Sequence, residues 1–147
     1  MSLSDRVHIY KAIEKLRKRP LISYVTGTRM NAQGQMSTDA IPELLDQLLA
    51  LPSGCEEVDI LVVSLGGDPT VAWRIMTLLR DRVKRVGVLV PQAAFSAATL
   101  LALGADEIVM HPCGNLGPVD PQIHVKRKSG PGQGADGLHR RAHDQRL

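Results

Sequence analysis

The chain has 147 residues, of which 44% are hydrophobic and only 3% aromatic, and its formal net charge is +3 at pH 7. This length fits one domain with an aliphatic core, and it excludes a need for disulfide or metal staples. The two cysteines, Cys55 and Cys113, lack metal-ligand spacing, so we predict reduced thiols, no metal and no cofactor. No apolar run is long enough to cross a bilayer, and the first residues lack the pattern of a signal peptide. We therefore predict a cytoplasmic chain that does not associate with a membrane.

The positive charge is concentrated after Val125, where six basic residues accompany two acidic ones. The first 125 residues are nearly neutral. Because the basic stretch has no aromatic side chains for base stacking, it is more typical of a solvated tail than of a nucleic-acid surface. We expect no nucleic-acid partner.

The first elements in chain order are an amphipathic helix and a short strand. Residues 4–19 have apolar side chains at helical spacing and end before Pro20, and residues 21–26 form a β-prone run. The polar residues 29–37 predict a loop. Asp39 is then a candidate N-cap for a second helix at residues 40–51.

Strand and helix patterns alternate in the middle of the chain. The apolar, β-branched run at residues 58–65 predicts a strand buried on both faces of a parallel sheet. A helix at 70–82, a strand at 85–90, a short helix at 96–104 and a strand at 107–111 follow. Their short connections predict a parallel α/β sheet with right-handed crossovers.

The periodic pattern ends near Val125, and a Gly-rich basic stretch follows. We predict an N-terminal helix at residues 1–20, a core domain at 21–125 and a disordered tail at 126–147.

Two of the helix starts point to the same edge of this sheet, the edge at which open α/β sheets bind ligands. At the first start, Gly66 and Gly67 permit a sharp turn and close approach of a ligand to the backbone. At the second, Ser96 lies at the positive end of a helix dipole. The amides of Gly67 and Ala97 could together bind an oxyanion. Two simpler interpretations exist: Ser96 as an ordinary N-cap, and the glycine pair as a plain turn or weak phosphate nest.

The combination of these elements resembles the serine dehydrogenase proteinase family, within the Clp protease and signal peptide peptidase A superfamily. The matching segments are residues 21–26, Gly66-Gly67-Asp68, Val90-Pro91, residues 94–100, residues 108–112 and residues 116–121. The resemblance implies a Clp/crotonase-like α/β fold with repeated β-β-α units and a parallel sheet. It also implies a metal-free serine peptidase that acts on polypeptide and assembles into a homo-oligomer. The resemblance further implies that Ser96 is the nucleophile and that the oxyanion hole is formed by Gly66, Gly67 and Ala97.

A serine nucleophile also needs a general base. The family has the order Ser, Asp, His along the chain, which implies Asp120, in the matching turn at residues 117–121, and then His124. The other acids after Ser96 are Asp106, Glu107, Asp136 and Asp144, and the other histidines are His111, His139 and His143. We expect His111 to end a buried strand as a core histidine.

Three alternatives remain open. Lys126 or Lys128 could serve as the base of a Ser-Lys dyad, as in signal peptide peptidase A. The chain departs from the family after Val125, so it could be a catalytically incomplete Clp-like subunit or interaction domain. A crotonase-type acyl-CoA enzyme shares the oxyanion architecture, but usually relies on carboxylates as acid and base.

Overall fold

The computed structural model describes residues 3–120, which form four helices and eight strands. The helices are α1 (Leu3–Arg17), α2 (Ala40–Leu49), α3 (Pro69–Arg82) and α4 (Ala97–Leu103). The strands are β1 (Leu21–Val25), β2 (Thr28–Arg29), β3 (Ala32–Gln33), β4 (Glu57–Val63), β5 (Arg85–Val90), β6 (Ala93–Ala94), β7 (Glu107–Met110) and β8 (Asn115–Leu116). The predicted tail at residues 126–147 lies outside the described residues, so its disorder and the domain boundaries remain predictions.

The main sheet is parallel, with strand order β1-β4-β5-β7, which confirms the predicted α/β class. Its strands carry aliphatic side chains at successive positions, as is typical of parallel sheets covered by helices. The strand register aligns Ile22, Ile60, Val88 and Ile108 in one row across the sheet. Buried side chains of α2, α3 and α4 pack with the first three of these in one core. The hydrophobic core therefore lies between the sheet and these three helices.

Most predicted elements are present, with small differences at their ends. The predicted loop at residues 29–37 instead contains the β2–β3 hairpin, in which Asn31 has a φ of 65° at the turn. Strands of two residues carry too few side chains to show a periodic pattern, so the sequence did not reveal them. Asp39 does precede α2, but its side chain makes no capping hydrogen bond.

The prediction that His111 ends a buried strand is wrong. Within residues 3–120, β7 pairs with β5 alone and forms an edge of the sheet. Val109 and Met110 are 37% and 42% exposed, and His111 is also exposed. The His111 Nδ1 accepts a hydrogen bond from the Cys113 N–H at 3.1 Å, so the ring folds back onto its own turn.

Helix α1 is attached to the sheet mainly by charges. Leu16 is 82% exposed and Val7 is 42% exposed, so the apolar pattern of α1 does not mark a fully buried face. Instead, Arg17 Nε lies 2.7 Å from a carboxylate oxygen of Asp59, which is 1% exposed, and its Nη2 lies 2.8 Å from Glu107. Arg19 contacts the same two carboxylates at 3.1 and 3.2 Å.

This charge cluster lies at the amino ends of the strands, opposite the edge predicted for function. Asp59, Gly87 and Glu107 are register neighbours on β4, β5 and β7. A Cβ on Gly87 would collide with the Asp59 carboxylate, so glycine makes room for the buried charge. Hydrogen bonds from Arg17 hold the pKa of the Glu107 carboxyl below its usual range, and the pKa of Arg17 is raised, chiefly by its hydrogen bond to Asp59.

Candidate active site

Ser96 lies between β6 and α4 in a backbone conformation that serine rarely adopts. Its φ is 51° and its ψ is −118°. A non-glycine residue in a sparsely populated region costs about 1–3 kcal/mol and persists when the surroundings impose it. Here the Phe95 N–H donates to the Ser64 carbonyl and the Ala98 N–H donates to the Phe95 carbonyl. The backbone before and after Ser96 is thus held by separate contacts.

The Ser96 hydroxyl is not used to cap α4. Its side chain makes no capping hydrogen bond, although serine is a preferred N-cap residue. The side chain is half-buried and lines a cavity. This argues against the simple helix-cap interpretation, since the usual structural use of the hydroxyl is absent.

Gly66 and Ser96, thirty residues apart in sequence, are packed against each other. A Cβ placed on Gly66 would lie 2.7 Å from the Ser96 Cβ and 2.6 Å from the Phe95 carbonyl oxygen. The φ of Gly66 is 99°, a conformation that glycine adopts at little cost. The structure thus brings together the two helix starts that the sequence placed at one edge of the sheet.

A buried serine fixes the Gly66 peptide. The Gly66 N–H donates to Ser64 Oγ at 3.1 Å, and the same oxygen accepts from Thr26 Oγ1 at 3.0 Å. The Gly66 carbonyl accepts from the Met36 N–H at 2.7 Å. The Gly66 amide already has an acceptor, so it is not free to bind an oxyanion as the resemblance implied. Gly66 instead allows the backbone after β4 to pack directly against Ser96.

Gly67 and Ala97 retain backbone donors at the site. Among the hydrogen bonds of residues 3–120, none has either of these N–H groups as donor. Ala97 occupies the first position of α4, where an N–H has no intrahelical partner. A Cβ on Gly67 would collide with the backbone of Met36, so the turn after β4 requires glycine at both positions.

The cavity beside Ser96 has a volume of about 480 Å³. Its lining consists of Phe95, Ser96, Asn115, Leu116, Gly117, Pro118 and Asp120. The structure therefore brings the predicted carboxylate Asp120 to the same cavity as Ser96. His124, Lys126 and Lys128 lie outside the described residues, as do Asp136, Asp144, His139 and His143.

The other described acids after Ser96 are engaged at the opposite edge of the sheet. Asp106 accepts from the Val86 N–H at 2.8 Å and contacts Arg80 at 3.2 Å. These two partners, the backbone N–H first, lower the pKa of Asp106. Glu107 belongs to the Arg17 cluster. Neither carboxylate lines the Ser96 cavity.

Two residues that support the site were not expected from the sequence. Ser64 follows β4 directly and lies two positions before Gly66; a small polar residue at the end of an apolar run could have indicated its role. Thr99 lies one turn after Ser96 and is 5% exposed. Its only sequence signal was a hydroxyl among the small apolar residues of a short helix.

The site thus combines a parallel α/β sheet with a strained Ser96 that packs against Gly66 at the carboxyl edge. Residues 36–129 match the family described as ClpP-like SDH-type serine proteinase. The chain belongs to this family, as the resemblance from sequence implied.

Two curated relatives are uncharacterised proteins of Methanocaldococcus jannaschii. MJ0137 is 37% identical over 81 residues, which are 55% of this chain and 28% of that protein. MJ1495 is 36% identical over 66 residues, which are 45% of this chain and 23% of that protein. The chain thus spans about a quarter of the length of the curated relatives it matches.

The fold also matches a solved structure, a mutant of the 1510-N membrane-bound stomatin-specific protease. The TM-score is 0.56 at 19% identity, over 75% of this chain and 50% of that chain. This likeness shows that the two chains share a fold. Among residues 3–120, no helix is long and apolar enough to cross a membrane.

Proposed function

We propose that the chain carries a serine peptidase site, in which Ser96 attacks unfolded polypeptide. The observation that carries this proposal is the contact between Gly66 and Ser96. Ser96 has a hydroxyl that makes no capping hydrogen bond, and the adjoining residues Gly67 and Ala97 have backbone N–H groups without an acceptor within the described residues. Membership of a serine proteinase family supports the same reaction class.

The reaction would proceed by acyl transfer. Ser96 Oγ attacks the carbonyl carbon of a peptide bond while its proton passes to a general base. The carbonyl oxygen becomes an oxyanion, to which the Gly67 and Ala97 amides donate. The base then protonates the departing amine, and water later hydrolyses the acyl ester. Preformed backbone donors stabilise the oxyanion most in the transition state, and loss of one typically lowers the rate by about 100- to 1000-fold.

We propose Asp120 as the carboxylate of the site and His124 as the base. Asp120 lines the cavity beside Ser96, whereas Asp106 and Glu107 are paired with arginines at the far edge. His124 comes after Asp120 in the sequence, in the order that the resemblance implies. His111 is less suitable because its Nδ1 already accepts from the Cys113 N–H.

Cleavage of a fluorescently labelled disordered polypeptide would test this proposal. We expect Ser96→Ala to abolish cleavage, and Asp120→Asn and His124→Ala to reduce it by about 100-fold or more. Ser53→Ala, at an exposed serine in a loop, is the matched control and should cleave normally. Equal cleavage by wild type and Ser96→Ala would contradict the proposal. Loss of cleavage in Lys126→Ala or Lys128→Ala, but not in His124→Ala, would move the base to lysine.

We also propose that the chain forms a homo-oligomer. Several large apolar side chains are more than 60% exposed: Leu16, Met30, Leu49, Trp73 and Leu103. Contact between copies would cover such surface. Light scattering should give a mass that is a multiple of 16.0 kDa, and a stable monomer at all concentrations would contradict it. An assembly that cleaves no polypeptide would instead favour the alternative of a non-catalytic subunit.

The cytoplasmic location remains a prediction.

A further inference from the structure

Thr99 contacts both segments that border the candidate active site. Its hydroxyl lies 2.6 Å from the Ala94 carbonyl oxygen, and the Gly117 N–H donates to it at 3.1 Å. The Gly117 carbonyl oxygen also lies 3.1 Å away. A threonine hydroxyl has one proton to donate and two lone pairs to accept with. The shorter distance favours donation to Ala94, while the hydroxyl accepts from Gly117.

The need for this hydroxyl follows from the strained turn at Ser96. Strands β6 and β8 pair in parallel, Ala93 with Asn115 and Ala94 with Leu116. The next pair would join Phe95 to Gly117, but the chain turns away at Ser96 and the Phe95 N–H donates to Ser64. If the ladder continued, the Gly117 N–H would donate to the Ala94 carbonyl oxygen. Instead, the Thr99 hydroxyl lies between these two groups, donates to that oxygen and accepts from Gly117.

A second contact acts on the same glycine. A Cβ on Gly117 would lie 2.7 Å from the ring of Phe95. The ring and the Thr99 hydroxyl thus hold Gly117 from two directions, three residues before Asp120. Phe95 and Gly117 both line the cavity beside Ser96, so their spacing determines its shape.

We propose that Thr99 is a positioning residue that holds the Asp120 segment at a fixed distance from Ser96. The inference rests on the proposed function, because it assigns a use to that spacing. Thr99 touches neither the scissile bond nor the base in this scheme. It acts through the peptide of Gly117, and a displacement of about 1 Å at a reacting group can lower a rate by about 100-fold.

Substitutions that keep or remove the hydroxyl test this role in the full chain. The readouts are the second-order rate constant for labelling of Ser96 by a fluorophosphonate, and amide hydrogen exchange at Gly117. Thr99→Val removes the hydroxyl at nearly constant shape, and should slow labelling by about 100-fold and accelerate Gly117 exchange by about tenfold. Thr99→Ser should restore both to within about threefold of wild type, since it keeps the hydroxyl.

Two controls separate positioning from general stability. Ala102→Gly weakens the same helix by about 2 kcal/mol, because it lowers helix propensity and removes a buried methyl group. It should nevertheless leave labelling near the wild-type rate. Thr77→Val removes an exposed hydroxyl that bonds within α3, and should leave both readouts unchanged. Equal slowing by Ala102→Gly and Thr99→Val would overturn the positioning role.

Unchanged labelling and exchange in Thr99→Val would also overturn it. If Thr99→Val does not fold, hydrogen exchange in the wild-type chain tests the proposal. Exchange at the Gly117 amide as fast as at the exposed Val119 contradicts it, and slower exchange at Gly117 supports it. If wild type is not labelled at all, the proposed function fails, and exchange at Gly117 alone supports or overturns the hydrogen bond to Thr99.

Discussion

Gly66 and Ser96 are so closely packed that no side chain fits between them. The position of a Cβ on Gly66 lies 2.7 Å from the Ser96 Cβ and 3.2 Å from the Ala97 nitrogen. One glycine therefore contacts both the proposed nucleophile and one proposed oxyanion donor. Its own amide is not assigned to the oxyanion hole, because that amide donates to Ser64.

The first prediction concerns this contact. Gly66→Ala should displace the Phe95–Ala97 segment and lower fluorophosphonate labelling of Ser96 by about 100-fold or more. It should also lower the free energy of unfolding by at least about 1 kcal/mol, from its positive φ alone. Gly54→Ala is the matched control, since Gly54 has a φ of 76° with nothing near its Cβ position. The control should lose some stability but keep normal labelling. Normal labelling in Gly66→Ala would show that the contact is dispensable.

The second prediction concerns the buried hydroxyl that orders the glycine turn. Ser64→Ala removes the acceptor of both the Gly66 N–H and the Thr26 hydroxyl. Unsatisfied buried donors cost about 1–3 kcal/mol, so chemical denaturation should show a loss in that range. Labelling of Ser96 should slow by at least about tenfold, because the Gly66–Gly67 turn is no longer fixed. Ser53→Ala should change neither value. A Ser64→Ala chain with wild-type stability would refute the network.

The third prediction separates stability from reactivity. Asp59→Ala removes the buried carboxylate that accepts from Arg17 and Arg19, which keep Glu107 as a partner; the loss of charge-assisted hydrogen bonds should cost about 1–3 kcal/mol. Labelling of the folded fraction should remain normal, since Asp59 lies at the opposite edge of the sheet from Ser96. Glu56→Gln, which breaks the exposed pair with Lys84, should cost at most about 1 kcal/mol. A larger loss for Glu56→Gln than for Asp59→Ala would contradict the description of the cluster.

The fourth prediction is an acid-sensitive attachment of α1. Arg17 lowers the pKa of Glu107, so the unfolded chain binds protons more readily than the folded chain at this site. The resulting stability is fully present above the usual pKa of glutamate, and is lost as the pH falls below about 5 towards the lowered value. Glu107→Gln should flatten this part of a stability-versus-pH curve. Ser53→Ala, which removes no titratable group from an exposed loop, should leave the curve unchanged. If stability fell more steeply with decreasing pH in Glu107→Gln than in wild type, the prediction would be contradicted.

Much of the fold could be predicted because its signals are local. The apolar run that became β4, the Gly66-Gly67 break and the helical spacing of α3 each lie in a short stretch of sequence. The two-residue strands β6 and β8 could not be predicted in this way. They pair across the chain, and two residues show no period.

The site was partly predictable for the same reason. The sequence motifs around Gly66 and Ser96 are short and local, and the family resemblance indicated that they belong to one site. The roles of Ser64 and Thr99 depend on contacts between distant segments, such as the hydrogen bond between Thr99 and Gly117. The prediction that His111 ends a buried strand was wrong, because an apolar run does not reveal whether a strand lies at an edge.

The most direct test of the central claim is fluorophosphonate labelling followed by mass spectrometry of the modified peptide. We expect one labelled residue, Ser96, in the native chain, and no labelling after Ser96→Ala or after denaturation of wild type. Loss on denaturation matters because the claim is that the folded contact with Gly66 makes this hydroxyl reactive. Labelling that maps to another serine, or that persists unchanged in Ser96→Ala, would contradict the account.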